Sequence, residues 1–195
     1  MYKMNNSIKL HLGCGKRYLP GYVHIDIDNS VSHLDYCTDI GDLKIFDDNS
    51  VDEIYTCGAI GYYDPEERIE LLQEWHRVLK KNGVLRISVV DFEKQVEVYL
   101  QSNKNLRNVG VLGPMFGIWP YTDKNGVKKK ALKKTAYDFA TLKDLVSSFG
   151  FTNYKRYDWK EFLPAGYDDY SAAYVPHKDE NGIHIMLNIE CRKSD

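Results

Sequence analysis

An apolar run over residues 8–12 stops at Gly13-Cys14-Gly15, and a second run over 22–27 carries a carboxylate, Asp26, close to its end. Short apolar segments that stop at glycine-rich turns are the mark of strands in a buried sheet, with the turns lined up along one edge. Glycines at a strand exit open backbone N–H groups to a ligand that any side chain would hold off. An acid at the tip of the neighbouring strand is placed to accept two hydrogen bonds from ribose hydroxyls. A dinucleotide fingerprint needs a third glycine at position 18, where this chain has Tyr18, so a nicotinamide cofactor fits poorly. The plainer alternative is a tight strand-exit turn beside a surface carboxylate.

Similar runs alternate with turns and one clear helix as far as Val90, the pattern of a mainly parallel α/β sheet. Strands are expected near 8–12, 22–27, 51–57 and 84–90. Between the last two, Asp64 offers an N-cap oxygen, Pro65 takes the first helical position and Glu67 completes a capping-box spacing. Ile69, Leu72, Trp75 with His76, and Leu79 then repeat at helical period, and Gly83 is expected to end the helix. A second helix is predicted after Asp91, with Phe92, Val96, Tyr99 and Leu100 on its apolar face. A third runs from Thr141 as cap through Leu142, Leu145, Val146 and Phe149 to Gly150. Over 182–192 apolar and polar residues alternate, which predicts a strand with one buried face, paired with 151–157. Two stretches, near 101–140 and 158–181, show no such pattern and are read as substrate or lid insertions in one domain spanning 1–195.

Composition narrows the class further. Cys14, Cys37, Cys57 and Cys191 have no metal-ligand spacing, so neither a metal site nor a disulfide framework is expected, and a reducing cytoplasm fits. The first ten residues lack the apolar core of a signal peptide, and the longest uncharged stretch, 108–121, is too short to span a bilayer. A net charge of −2 argues against a wholly basic nucleic-acid binder. That average conceals Lys124, Lys128, Lys129, Lys130, Lys133 and Lys134, a run without an acid, outside which 20 basic residues face 28 acidic ones.

Several segments in order resemble one family. LHLGCG, GYVHIDID and CTDIGDLKIFDDNSVDEIY, then RIELLQEWHRVLKKNGVLRISVVDFEKQV, KKTAYDFATLKDLVSSFGF and IMLNIECRK, resemble the class I S-adenosylmethionine-dependent methyltransferases of the compact type-11-like branch. The resemblance implies a Rossmann-like fold, with a mainly parallel seven-stranded sheet, an antiparallel last strand and helices on both faces. It implies S-adenosylmethionine as cofactor and S-adenosylhomocysteine as product. Carried over residue by residue, Leu12, Gly13, Cys14 and Gly15 border the methionine moiety, Asp26 and Ile27 the ribose, and Asp39 with Ile40 the adenine. Thr56, Cys57 and Gly58 close the other side. Asp28 replaces Asp26 if the strand register differs, and Asp39, with Asp35 and Asp42 nearby, has an acidic turn as its ordinary alternative. Nothing nearby in sequence would activate Cys14 as a nucleophile.

The chain departs from the family's pattern in five places. Ten residues separate Gly15 from Asp26 and Pro20-Gly21 interrupts them, so the cofactor loop is expected to enter a turn with little helix dipole for a carboxylate. Gly58-Ala59-Ile60-Gly61-Tyr62 stands where relatives read His-Val-Leu-Glu-His. Asn82-Gly83 and Val90-Asp91 replace Pro-Gly-Gly and Pro-Asp, and Lys133 replaces a histidine. The base is therefore open among Asp91, Tyr62, Tyr137 and His177, whose ordinary roles are helix capping, packing, packing and loop exposure. Fourteen of the 25 aromatic residues lie between Phe116 and Tyr174, either as an acceptor pocket or as a small core beneath loops. A small polar acceptor, such as a sugar hydroxyl or nucleotide-sugar and including anionic ones, is the leading expectation. Nucleic-acid methylation and a cofactor-binding relative without catalysis are the alternatives.

Overall fold

The computed structural model describes residues 7–107 and 109–194. The N-terminal reading over 1–6 and the start of the uncharged stretch at Asn108 lie outside the described residues. The chain opens with β1 (Lys9–Leu12), β2 (Val23–Asp26), a two-residue β3 (Tyr36–Cys37) and β4 (Val51–Cys57). Helix α1 (Pro65–Val78) leads into β5 (Leu79–Val90), which is followed by α2 (Phe92–Gln101) and α3 (Val109–Phe116). A hairpin of β6 (Ile118–Thr122) and β7 (Lys128–Leu132) precedes α4 (Phe139–Ser147), β8 (Phe151–Arg156) and the single turn α5 (Trp159–Phe162). Short β9 (Tyr174–Val175) and β10 (Ile183–His184) come before the closing strand β11 (Met186–Lys193).

Seven strands form one sheet in the order β3-β2-β1-β4-β5-β11-β8. Contacts from β3 through β5 are parallel, whereas β11 runs antiparallel to both β5 and β8. Register puts Leu10 beside Ile54 and Ile54 beside Leu85, and these side chains share a core with Leu71, Leu72 and Trp75 of α1 and Leu142 and Val146 of α4. The opposite face follows from the strand's period of two and is unusually polar: His11, Tyr55, Arg86 and Glu190 lie in one row across β1, β4, β5 and β11. Its cover is thinner, coming from Leu19 and from Phe162 of α5, with Arg86 under the Phe162 ring and bonded to Glu53 and Glu190. Helices α1 and α4 thus serve one face, and the short α5 with irregular chain serves the other.

Several local expectations are corrected. Helix α1 ends at Val78, not at Gly83, because Leu79 already pairs with Val51 and the chain turns at Asn82, where φ is 61°. On α2 the expected apolar face is largely exposed, Phe92 at 45%, Val96 at 39% and Leu100 at 56%, while Gln95 and Val98 are buried. Its packing partners, the next helix α3 and the distant β10, set which side faces inward. Helix α4 is capped by Asp138, with Thr141 as the third residue of the capping box. Strand β11 is buried on both faces, since Asn188 and Glu190 are each 4% exposed beneath the polar layer. The two unpatterned stretches contain α3, the β6–β7 hairpin, α5 and β9. No helix among the described residues is long and apolar enough to cross a membrane.

Burial on the polar face makes stability depend on pH. His11 is 2% exposed, and burial first, then the charges of His24 and His33, lower its pKa from 6.5 to about 3. Between those two values the unfolded chain binds a proton that the folded chain refuses, so stability falls as pH drops below 6.5, by about 1.4 kcal/mol per unit for one such group. Urea unfolding of the wild type should weaken steadily from pH 6.5 to 4.5, and His11→Gln should show a slope shallower by about one proton. Equal slopes for the two proteins would contradict the buried, neutral state of His11.

Candidate functional site

The end of β1 reverses through two residues in the left-handed region, Gly13 at φ 67° and Gly15 at φ 51°. Gly13 donates its N–H to the Ile25 carbonyl at 2.8 Å, and a Cβ on it would stand 2.6 Å from the Ala59 Cβ. The loop after β1 therefore abuts the exit of β4 with no room for a side chain between them. Gly15 donates its N–H to Asp26 Oδ2 at 2.8 Å, and Asp28 donates its own to Asp26 Oδ1 at 2.8 Å. Asp26 is the last residue of β2 and is 7% exposed; burial raises its carboxyl pKa even though these donors act downward. The expected turn replaces a helix here, with Arg17 N–H on the Cys14 carbonyl at 3.0 Å.

Asp28 has a different task. Its Oδ1 accepts Ser30 N–H, the Ser30 hydroxyl and Thr122 N–H at 3.1, 2.7 and 3.0 Å, while Asn29 N–H reaches the Thr122 carbonyl at 2.8 Å. Burial works upward on its carboxyl, and the donors from Thr122 and Ser30 outweigh it, leaving the pKa lowered. These bonds stitch the end of β6 to the loop after β2, and Trp119 on the same strand comes within 3.5 Å of the place a Gly15 Cβ would occupy. Trp119 was legible only as one of the fourteen late aromatic residues, and no sequence pattern singled out Thr122. The turn residues at Asp123, Asn125 and Gly126 were the available hairpin signal.

Asp39 is exposed, and its Oδ1 accepts Gly41 N–H at 2.7 Å and the Tyr63 hydroxyl at 2.9 Å. Burial and then Asp39 hold the Tyr63 phenol well above its ordinary pKa. Ile40 is buried and its carbonyl takes the Trp75 indole N–H at 2.8 Å, which pins this turn to α1. Beyond β4, Gly58 has φ 75° and bonds Ser88 O at 2.8 Å. Leu12, Cys14, Asp26, Ile27, Asp39, Cys57 and Gly58 thus line the same C-terminal edge of neighbouring strands β1, β2 and β4 and the turn after β3. Burial and then Asp26 push the Cys14 thiol up to about 12, so it stays protonated near neutral pH.

Of the base candidates, Asp91 and Tyr137 adjoin through a parallel backbone bridge, with Phe92 N–H on the Tyr137 carbonyl at 2.8 Å. Tyr137 is 4% exposed and its hydroxyl is held by Arg68 Nη1 at 2.9 Å and Thr135 Oγ1 at 3.2 Å. Tyr62 is half-buried in a single 3-10 turn, its phenol raised by burial and then by Tyr170. His177 is exposed between β9 and β10. Asp91 is 1% exposed, caps α2 through Glu93 N–H at 3.1 Å and faces Arg156 Nη1 at 3.4 Å. It lines a cleft of about 490 Å³ with Lys94, Arg156, Asn181 and His184. Of the lysine run, Lys129 pairs with Asp123 and Lys134 with Asp64 and Glu67, whereas Lys133 turns inward to the Pro114 carbonyl at 2.6 Å.

Residues 10–87 match the model of a methyltransferase domain, type 11. No curated protein matches the chain. Among solved structures, a SAM-dependent methyltransferase from Archaeoglobus fulgidus is similar at a TM-score of 0.56 and 14% identity, over 96% of this chain and 86% of that one. The 1,6-didemethyltoxoflavin-N1-methyltransferase of Burkholderia thailandensis, solved with 1,6-didemethyltoxoflavin and S-adenosylhomocysteine, is similar at 0.53 and 14%, over 97% and 72%. A possible histamine N-methyltransferase from Thermotoga maritima is similar at 0.53 and 16%, over 96% and 82%. At these identities the structural likeness is one of fold.

Gly13→Ala should cost about 1–3 kcal/mol more than Gly21→Ala, because both force a side chain into the left-handed region but only Gly13 would strike Ala59. Chemical denaturation of the two variants measures that difference. Equal losses would show that the β1 and β4 exits are not packed together.

Proposed function

We propose that this chain, a class I S-adenosylmethionine-dependent methyltransferase of the type-11 branch, holds its cofactor along the edge formed by Gly13, Gly15, Asp26, Asp39 and Gly58. The observation that carries this is the Asp26 carboxylate. A carboxylate offers about four acceptor positions, and the bonds from Gly15 and Asp28 use one on each oxygen, so both oxygens retain capacity for ribose hydroxyls. The left-handed turn at Gly13 and Gly15 lies at the strand exit between Ala59 and Trp119, Leu12 and Ile27 border it, and Asp39 with the turn at Ile40 is available to the adenine amine. The cofactor, once bound, supplies a methyl group on a sulfonium, an electrophile that reacts by in-line displacement. The protein's part is then chiefly to hold the acceptor atom in line and to keep water out.

For the acceptor we favour a small polar molecule bound in the cleft beside Asp91. Lys94, Arg156 and His184 stand there with Asp91 and Glu97, a mixed lining that suits hydroxyl-rich or anionic groups such as sugars and nucleotide-sugars. The toxoflavin-precursor enzyme, named for a small-molecule acceptor, agrees with that size class. Asp91 is the preferred proton acceptor for a hydroxyl substrate, since the Tyr137 hydroxyl is already occupied and Tyr62 titrates upward with burial. The stretches 101–140 and 158–181 belong to the same domain as walls of the acceptor side. Nucleic-acid methylation is disfavoured, because Lys129 and Lys134 are engaged in ion pairs and Lys133 points inward, leaving a short strip for phosphates.

Calorimetric titration with S-adenosylmethionine and S-adenosylhomocysteine should give saturable binding, and a folded sample that binds neither would overturn this reading. Asp91→Asn keeps an equally good helix cap, so it should fold normally and bind S-adenosylhomocysteine within about twofold of wild type. With hydroxyl acceptors found by screening sugars and nucleotide-sugars, its kcat should fall by about 100-fold. An unchanged kcat would mean that Asp91 takes no proton.

A further inference from the structure

Lys133 follows directly on β7, and its position is fixed at three points. Its N–H meets the Gly117 carbonyl at 3.3 Å, and the next two residues, Lys134 and Thr135, donate theirs to the Gly61 carbonyl at 2.8 and 3.2 Å. The side chain runs into a small cavity bordered by Gly58, Gly61, Val89, Met115 and Tyr137. There the ammonium gives one hydrogen to the Pro114 carbonyl, and among the described residues no carboxylate pairs with it. An inward-facing ammonium carries three donors, and one neutral carbonyl leaves it short of partners. Burial accordingly lowers its pKa, with the Cys57 thiol acting the other way.

The place of this cavity tells what the missing partner is. Gly58 and Gly61 flank Ala59, the residue that Gly13 abuts, so the cavity opens beside the loop that would carry the amino-acid end of the cofactor. That loop enters no helix, so no helix N-terminus is there to meet a carboxylate. The open base of the β6–β7 hairpin lies here, where Trp119, paired with Ala131, stands against Gly15 and Lys133, bonded to Gly117, stands beside Gly58. We propose that Lys133 binds the α-carboxylate of the cofactor, replacing through the hairpin the charge that a helix after β1 would have offered. This rests on the cofactor reading above.

Calorimetry on the full chain separates the two claims. Wild type should bind S-adenosylhomocysteine at least tenfold more tightly than its decarboxylated analogue, which keeps the amine. Lys133→Met should lose that preference while binding the analogue as wild type does, and Lys133→Arg should recover part of it. Lys130→Met, at an exposed position on the same hairpin, should behave as wild type. If the methionine variant does not fold, Lys133→Gln answers the same question. Wild type that binds both ligands equally, or a Lys133 variant that keeps the preference, overturns the proposal and leaves the cofactor site standing. Wild type that binds neither ligand defeats the cofactor reading itself.

Discussion

The Asp26 carboxylate is the joint on which the site depends. One oxygen accepts the N–H of Gly15 from the loop after β1, and the other accepts the N–H of Asp28 from the turn after β2. Charge-assisted bonds of this kind are about twice as strong as neutral ones, and here they lock two strand exits together where no helix does so. The next link is Asp28, which captures Thr122 and so brings the β6–β7 hairpin over the loop. A loop that would otherwise be short and glycine-rich is held by acids below it and by an aromatic strand above it.

The same shortage of chain between β1 and β2 shapes the rest of the molecule. Ten residues cannot build a helix and return, so one face of the sheet lacks the apolar cover that α1 and α4 give to the other. That face is accordingly polar, and its groups are matched in pairs: Arg86 with Glu53 and Glu190, Ser88 with Asn188, and Tyr55 with Asp169. Asp169 and Ser171 arrive on a late segment, with the Ser171 carbonyl accepting Asn188 Nδ2 at 3.1 Å. Buried polar groups are tolerated only when paired, so the late segment is needed for the sheet's integrity as well as for covering it. His11, with Nδ1 lacking a partner among the described residues, marks where the matching is incomplete.

The strands and the start of α1 were legible in the sequence because their signals are local. Apolar runs ended where the strands end, as at Val51–Cys57, and the Asp64, Pro65 and Glu67 spacing became a complete capping box. The family resemblance foretold the antiparallel last strand, and the apolar run over 22–27 placed Asp26 near the strand tip. What stayed hidden was set by packing partners in other elements. The buried side of α2 is chosen by α3 and β10, and the lysines and Pro120 disguised a hairpin whose strands are held by Asp28 from 94 residues earlier. At the site, residue types in the cofactor loop were readable, whereas the placement of Trp119 and Lys133 arises only when the hairpin meets the strand exits, and that of Tyr63 only when the β4 exit meets the turn after β3.

On the proposed reading, the cofactor binds on the edge held together by Asp26. Amide chemical shifts recorded during titration with S-adenosylhomocysteine test it directly. Saturable shifts should concentrate at Gly13, Gly15, Asp26, Ile27, Ile40 and Gly58, with one affinity for all six. Saturable shifts confined to residues elsewhere, with Gly15 and Asp26 unmoved, would contradict the account.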